Sequence, residues 1–276
     1  MLPDLLTLIY IQRDNATSPA APIQPRFWPL WLSKNPRLRL RSLGTSSAAA
    51  LIHTKYSSFS STYAALMQPV EQSDFARYLA IYHSGGFYAD GDVVPILPTD
   101  RWPGTFGWRW ASAGSGASAG SSLLRDVMIV GVEDTRPLRI AQFVFASVPK
   151  HPLLLAVAEE VQARVWRIVS RRASVVERTG PLAWTDAIVS YIRRHGPPVL
   201  ASLNETSLRA FLIEEQIGRL IPLHGGRWQL LVLPYRAFGF NRAHDHYLVK
   251  LPTTQHLCHH LFDGSWKGWQ QWSHRT

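Results

Sequence analysis

The chain has 276 residues, enough to bury a sizeable core, and its 46% hydrophobic and 17% charged residues are those of an ordinary globular protein. Lysine and arginine total 29 against 19 acidic residues, a net charge of +10, a balance that suits polyanions such as nucleic acid, acidic membranes or phosphorylated small molecules. The single cysteine, Cys258, excludes an internal disulfide and a cysteine-cluster zinc site, and no apolar run approaches the ~18 residues of a membrane span.

Residues 5–11 read as a short apolar strand without the basic flank of a signal peptide. Residues 13–26 are polar and proline-rich, a flexible arm. Arg37-Leu-Arg39-Leu-Arg41 alternates with a period of two and predicts an exposed strand face. Residues 46–67 read as one or two helices leading into the most informative stretch, residues 74–92.

That stretch begins as a helix. Asp74, Arg77, Tyr78 and Tyr82 stand at offsets of three, four and eight, so they share one helical face. Gly85 and Gly86 end the helix, because glycine accepts the positive φ that helix ends commonly need. Residues 87–94 are aromatic and β-branched and predict a strand, on which Asp90 and Asp92 would point to one side. Two hard oxygen donors side by side suit Mg²⁺ or Mn²⁺ with open positions for phosphate oxygens. The planar fork of Arg77 suits a phosphate or a sugar hydroxyl. The triplet Asp-Gly-Asp alone equally fits a solvated turn with an acidic tip.

Residues 95–110, rich in proline and tryptophan, predict an irregular segment over the site, and residues 111–122 a Gly/Ser/Ala-rich loop. Residues 127–132 predict a buried strand. Glu133 and Asp134 after it are candidate nucleophilic or acceptor-orienting carboxylates, or simply a solvated loop. Residues 139–148, 152–170 and 184–194 read as helices, Gln142 serving as a sugar contact or a helix cap, and residues 220–222 and 229–233 as short strands. His256-Leu-Cys258-His259-His260 offers metal ligands; the favoured reading sends His260 to the same metal as the two aspartates rather than to a separate zinc site. The basic residues are dispersed, with Arg171-Arg172 and Arg193-Arg194 beside helix ends, and no zinc-finger, basic-zipper or RNA-binding signature is present. The charge is therefore read as attraction for a nucleotide diphosphate rather than nucleic acid.

Residues 73–92 carry Ser-Asp-x-x-Arg-Tyr, Gly-Gly-x-Tyr and Asp-x-Asp in order. Asn35-Pro36, residues 129–133 (Ile-Val-Gly-Val-Glu), Gln142-Phe143, Pro149-Lys150-His151-Pro152, Thr179-Gly180-Pro181 and Gly264-Ser265-Trp266-Lys267 surround them. Together these blocks resemble glycosyltransferase family 32, above all its branch of yeast initiation-specific α-1,6-mannosyltransferases, over nearly the whole chain. The chain departs from the family near its start, where only Gln12 matches the usual His-Gln, and in the extra loop at 111–122.

The resemblance implies an α/β, GT-A-like fold, a mixed central sheet flanked by helices, forming one domain over residues 1–276. It also implies retaining transfer of a hexose from a nucleotide-diphospho-sugar, GDP-mannose in the first instance, to a glycan acceptor, with Mn²⁺ or Mg²⁺ as cofactor. Asp74, Arg77, Tyr88 and Asp90 are then expected at the donor, with Trp266 beside them, and Asp92, Asp90 and His260 at the metal. Arg77, Asp90, Asp92 and Glu133 are the candidate catalytic groups. A secretory-pathway lumen follows from the resemblance and gains slight support from two glycosylation sequons, at Asn15 and Asn204. Membrane association is not encoded in the chain, which leaves the cytoplasm open. Three rivals stand beside this reading: a relative that glycosylates a sphingolipid or protein, a non-catalytic sugar-binding module, and an aspartate-nucleophile phosphatase, whose first motif is also Asp-x-Asp.

Overall fold

A computed structural model describes residues 2, 4–11, 26–110, 123–135, 137–167, 173–213, 218–235, 237–238 and 255–261. The expected arm at 13–26, apart from Arg26, the loop at 111–122 and the Gly-Ser-Trp-Lys block lie outside the described residues.

The first half alternates strands and helices. Strand β1 (Leu5–Tyr10) is followed by helix α1 (Trp28–Lys34), strand β2 (Arg39–Gly44) and helices α2 (Thr45–Lys55), α3 (Ser60–Ala65) and α4 (Pro69–Ser84). Proline in its first turn and a reciprocal Gln68–Glu71 capping box start α4. Its end is sharp: Gly85 and Gly86 take φ of 65° and 93°, and a Cβ on Gly86 would sit 2.4 Å from the Leu5 carbonyl oxygen. Only glycine fits there, so the helix turns straight into β3 (Gly86–Ala89). The expected strand over 87–94 is interrupted: Asp90, Gly91 and Asp92 form a turn closed by Val93 N–H on the Asp90 carbonyl (3.1 Å), and β4 (Val93–Pro95) begins beyond it.

The second half opens with the short parallel pair β5 (Arg109–Trp110) and β6 (Leu123–Leu124). It continues through β7 (Val127–Thr135), β8 (Leu138–Ile140) and β9 (Val144–Ser147). The helix expected over 139–148 is thus two strands. Both faces of β9 are buried, and a strand buried on both faces reads as an unbroken apolar run, which periodicity cannot distinguish from a buried helix. Helices α5 (Pro152–Trp166), α6 (Val175–Arg178), α7 (Pro181–His195), α8 (Pro198–Ala201) and α9 (Glu205–Ile213) follow, then β10 (Arg219–Leu223), β11 (Trp228–Leu233) and β12 (Cys258–His260). No helix among the described residues is long and apolar enough to cross a membrane.

The main sheet runs β10-β11-β7-β9-β3-β1-β2, with β8 paired to β7 as its eighth strand. β2, β1 and β3 are parallel to one another, as are β7 and β11; β9 lies antiparallel between β3 and β7, so these five strands share one direction. Their side chains alternate between two cores. Met128, Val130, Tyr88 and Phe145 pack with Leu79, Leu154, Val157 and Trp184 of α4, α5 and α7. Val127, Ile129, Phe87 and Ala146 pack with Trp31, Trp102 and Phe238 on the other face. Each such side chain contributes roughly 1.5–3 kcal/mol of burial. The sheet is therefore a fixed platform, and whatever follows the carboxyl ends of β3 and β7 emerges at one edge of it.

His151, fully buried, caps the start of α5. Its Nδ1 accepts the Leu153 N–H at 3.4 Å and its Nε2–H donates to the Gln229 carbonyl at 3.1 Å, so the ring must be neutral. Burial pushes its pKa down to about 4. Because the unfolded chain takes up the proton first, stability is lost as pH falls from ~6.5 towards 4. Urea unfolding of the wild type and His151→Gln at pH 7 and pH 5 should show the wild type's advantage shrinking by about 2 kcal/mol at the lower pH. An advantage independent of pH would show that His151 does not titrate as its surroundings require.

Candidate active site

The turn after β3 places Asp90 and Asp92 at the edge where the parallel strands end. The helix face predicted from Asp74, Arg77 and Tyr78 lies directly beneath. Asp74 and Arg77 are 2% and 4% exposed, and their side chains pair at 2.8 Å. Arg77 does more than pair. Its Nη1 donates to the Gln142 carbonyl (3.2 Å) and lies 3.4 Å from Asp90 Oδ1, and its guanidinium carbon sits 4.7 Å from the centre of the Tyr88 ring. Tyr88 in turn donates its hydroxyl to the same Asp90 oxygen at 2.5 Å. One cation is thus held between two carboxylates and over an aromatic face, an arrangement that only a planar guanidinium satisfies.

A second tier holds the first. Thr179 Oγ1 donates to Asp74 Oδ2 (3.0 Å) and the Gln142 amide to Asp74 Oδ1 (3.2 Å). The Tyr78 hydroxyl stands 2.5 Å from Gln142 Oε1 and 2.8 Å from the Thr179 carbonyl, so its one proton is shared by two acceptors. The Tyr78 ring stacks on Trp184 with planes 12° apart and centres 5.1 Å apart. Gln142 therefore neither caps a helix nor faces outward for a sugar. With Thr179 it ties α4 to the segment between β8 and β9 and to the start of α7. Burial pushes the Asp74 carboxyl up to about 7, against the pull of Arg77 and the bond from Thr179.

The metal-capable group lies one step further out. Donor atoms of Asp90, Asp92 and His260 fall within 4.8 Å of one another. His260 arrives on β12, which pairs antiparallel with β4 so that His260 stands opposite Val93. Its Nε2 is 3.1 Å from Asp92 Oδ1, and Leu261 N–H donates to the Asp92 carbonyl at 3.1 Å. The Phe143 ring stacks on the imidazole with centres 4.1 Å apart, while the Phe143 carbonyl accepts the Asp90 N–H at 2.8 Å. Phe143 thus positions an aspartate and the histidine together. Two carboxylates and an imidazole fit a divalent ion, and the nitrogen donor suits Mn²⁺ better than Mg²⁺. Cys258, in the same strand, is fully buried in the core, and burial pushes its thiol well above the usual range, which argues against the separate zinc site.

Glu133, at the end of β7, lies near enough to Arg139, His260 and Asp90 to feel their charges, and burial raises its carboxyl. Asp134 is taken up by an ion pair with Arg139 of β8. Of the residues expected at the site, Asp74, Arg77, Tyr88, Asp90, Asp92, Glu133 and His260 converge, while Trp266 lies outside the described residues. The holding roles of Tyr78, Gln142, Phe143 and Thr179 depend on contacts 64 to 105 residues apart in sequence and on the 4.1 Å ring stack, which no local pattern announces.

Comparison with known proteins finds glycosyltransferases. Residues 29–106 match the family described as glycosyltransferase sugar-binding region containing DXD motif. The chain is 27% identical over 267 residues to the initiation-specific α-1,6-mannosyltransferase of Schizosaccharomyces pombe, covering 88% of this chain and 59% of that protein. It is 22% identical over 275 residues to the enzyme of the same name from Candida albicans, with 86% and 65% covered. A putative glycosyltransferase, HOC1 of Saccharomyces cerevisiae, is 27% identical over 195 residues, 59% of this chain and 43% of that one. The chain thus spans roughly half to two thirds of the length of these relatives. Among solved structures, the PaToxG glycosyltransferase shares the fold with a TM-score of 0.50 at 14% identity, covering 76% of this chain and 74% of that one.

Removing Arg77 leaves Asp74 buried without its cation, and Asp74 then holds a proton to still higher pH. A carboxyl whose folded pKa exceeds its unfolded value loses stability as pH rises, so the cost of Arg77→Met should grow between pH 5 and pH 8, reaching about 3–5 kcal/mol. Urea unfolding at both pH values measures it. A cost that is equal at both would mean that Asp74 is not the group Arg77 neutralises.

Proposed function

We propose that this chain, a glycosyltransferase with the DXD sugar-binding region, moves a hexose with retention of configuration from a nucleotide-diphospho-sugar to a glycan acceptor with the help of Mn²⁺. The observation that carries the reading is the juxtaposition of the Asp90–Asp92–His260 donor set with the buried Asp74–Arg77 pair at the carboxyl ends of the parallel strands. The names of the relatives favour mannose as the sugar, with GDP-mannose as the donor, and an α-1,6-linked glycan as the product. The resemblance likewise favours work in the secretory-pathway lumen, with residues 1–276 as one transferase domain.

In this reading Asp92 and His260 hold the ion, with Asp90 between them and the donor sugar. The ion, when bound, would offset charge on the departing diphosphate. The chain's own residues supply orientation. Asp74 and Arg77 are locked by Thr179, Gln142 and Tyr88, so in this reading they hold Asp90 and the donor side of the site in a fixed arrangement, the preorganisation that makes electrostatic catalysis effective. The leaving phosphate takes the acceptor's proton, which requires no dedicated base. In this reading Glu133, whose buried carboxyl is raised and feels the charge of His260, serves as the nucleophilic or acceptor-orienting carboxylate. The departures from a phosphatase are physical: the Asp-x-Asp follows the third strand rather than the first, and its flanking partners are an arginine and a tyrosine rather than a lysine.

Donor hydrolysis by purified protein with and without Mn²⁺, across GDP-mannose, UDP-galactose, UDP-glucose and UDP-N-acetylglucosamine, tests the reading. GDP-mannose should turn over selectively, and Asp92→Asn should lose at least about 100-fold. Selective turnover of another donor would replace the sugar and keep the reaction. If no donor shows metal-dependent turnover or metal-dependent binding, the site assignment fails and the non-catalytic module becomes the favoured reading.

A further inference from the structure

The opposite end of α4 and β3 from the Asp90–Asp92 turn carries a second cluster. Three basic side chains meet there from three elements, Arg41 from edge strand β2, His83 from the last turn of α4 and Lys150 from the turn between β9 and α5, and Lys55 at the end of α2 lies near enough for His83 to feel its charge. The cluster is connected. Lys150 Nζ donates to the Tyr56 hydroxyl at 3.0 Å, and that hydroxyl meets His83 Nδ1 at 3.1 Å. The Lys150 ammonium also sits 4.6 Å from the Tyr82 ring centre and 5.2 Å from that of Tyr56. Arg41 reaches across to hydrogen-bond the Ser84 hydroxyl.

What the cluster lacks is a counter-charge. Among the described residues no carboxylate forms an ion pair with Arg41, Lys55, His83 or Lys150, whereas Arg77, Arg139, Arg164, Arg178 and Arg209 each have one. Arg41 is half-buried, which makes an unneutralised guanidinium costly. The cations act on one another: after burial, the charges of Lys150, Arg41 and Lys55 hold the His83 imidazole below its usual proton affinity. The negative ends of α2 and α4 attract Lys55 and His83 by position. They do not account for Arg41, which comes from a strand, or for Lys150, whose backbone is held at a φ of 62°, uncommon for a residue with a side chain.

We infer that Arg41, Lys55, His83 and Lys150 form a binding site for a phosphate group, separate from the metal site and at the other end of β3. A guanidinium fork, two ammonium groups and an imidazole around hydroxyls of Tyr56 and Ser84 supply the donors that a phosphate's oxygens require. The phosphate is either free, as inorganic phosphate or a soluble phosphomonoester, or displayed on a lipid headgroup. The inference is independent of the transferase reading, since neither the donor set nor the Asp74–Arg77 network takes part.

The test reads His83 directly. NMR titration of ring-labelled histidine should show the His83 pKa rising by about one unit in millimolar inorganic phosphate, but not in chloride of equal ionic strength. Arg41→Gln should abolish at least about half of that rise, and Arg41→Gln with Lys150→Gln nearly all of it. The same spectra show whether each variant is folded, and Arg101→Gln, a change at an exposed arginine elsewhere, should leave the rise intact. Co-sedimentation with phosphatidylcholine vesicles, with and without a phosphatidylinositol monophosphate, identifies the source. Binding only to the phosphorylated vesicles assigns a headgroup, and no vesicle binding with the His83 response kept assigns a soluble phosphate. A His83 pKa that phosphate does not move, or moves equally in Arg41→Gln, overturns the inference.

Discussion

Everything at the site depends on one cation held in place. Arg77 is buried in α4, and it is the only group described that touches Asp74, Asp90, the Tyr88 face and the Gln142 carbonyl together. A buried guanidinium is tolerated only with its charge matched and its donors satisfied. The surrounding residues meet that demand in order. Asp74 supplies the nearest opposite charge, Thr179 and Gln142 saturate Asp74, and Tyr78 closes the ring between Thr179 and Gln142. Four parts of the chain are pinned against one another by the same requirement. The rigidity that would serve recognition of a donor on the proposed reading is therefore also what holds the α4 face to α6, to α7 and to the segment before β9.

The sheet sets where this network can face. Because β3 and β7 run in the same direction, with β9 antiparallel between them, the turn carrying Asp90 and Asp92 and the end carrying Glu133 open on one edge. The histidine comes from the far end of the described chain. The β4–β12 ribbon brings it there, and the ribbon is secured by the Leu261 amide on Asp92 and by Trp31 donating its indole N–H to Val93 at 3.1 Å. α1 thus supports the site from the other core, through a tryptophan that also meets Trp102. Distant segments converge because backbone pairing, not side-chain contact alone, fixes their register.

Legibility in the sequence followed the range of the interactions. The Asp74–Arg77–Tyr78 face and the glycine break were readable because helical spacing and positive φ are local properties. Asp90 and Asp92 were readable as a pair, although the turn between β3 and β4 replaces the single strand that their neighbours' composition favours. Strand β9 was misread as helix because burial on both faces removes the alternation that marks a strand, and β8 is only three residues long. Gln142 lies between these two strands, so its part in the network was hidden along with its backbone conformation. Thr179 stood in a motif block without a visible partner, since Asp74 is 105 residues away.

The two aspartates of the turn are not equivalent, and the difference follows from what each already holds. Asp90 Oδ1 accepts the Tyr88 hydroxyl and faces Arg77, so half of its carboxylate serves the buried network. Any ion it met would compete with a guanidinium for the same charge. Asp92 stands at the outer end of the turn with the His260 nitrogen 3.1 Å away. On the proposed reading, direct ligation therefore falls to Asp92 and His260, while Asp90 couples the ion to the Arg77 network and, through it, to the sugar. That division would let one short turn serve two demands that a single carboxylate could not meet together: neutralising a buried arginine and binding a metal.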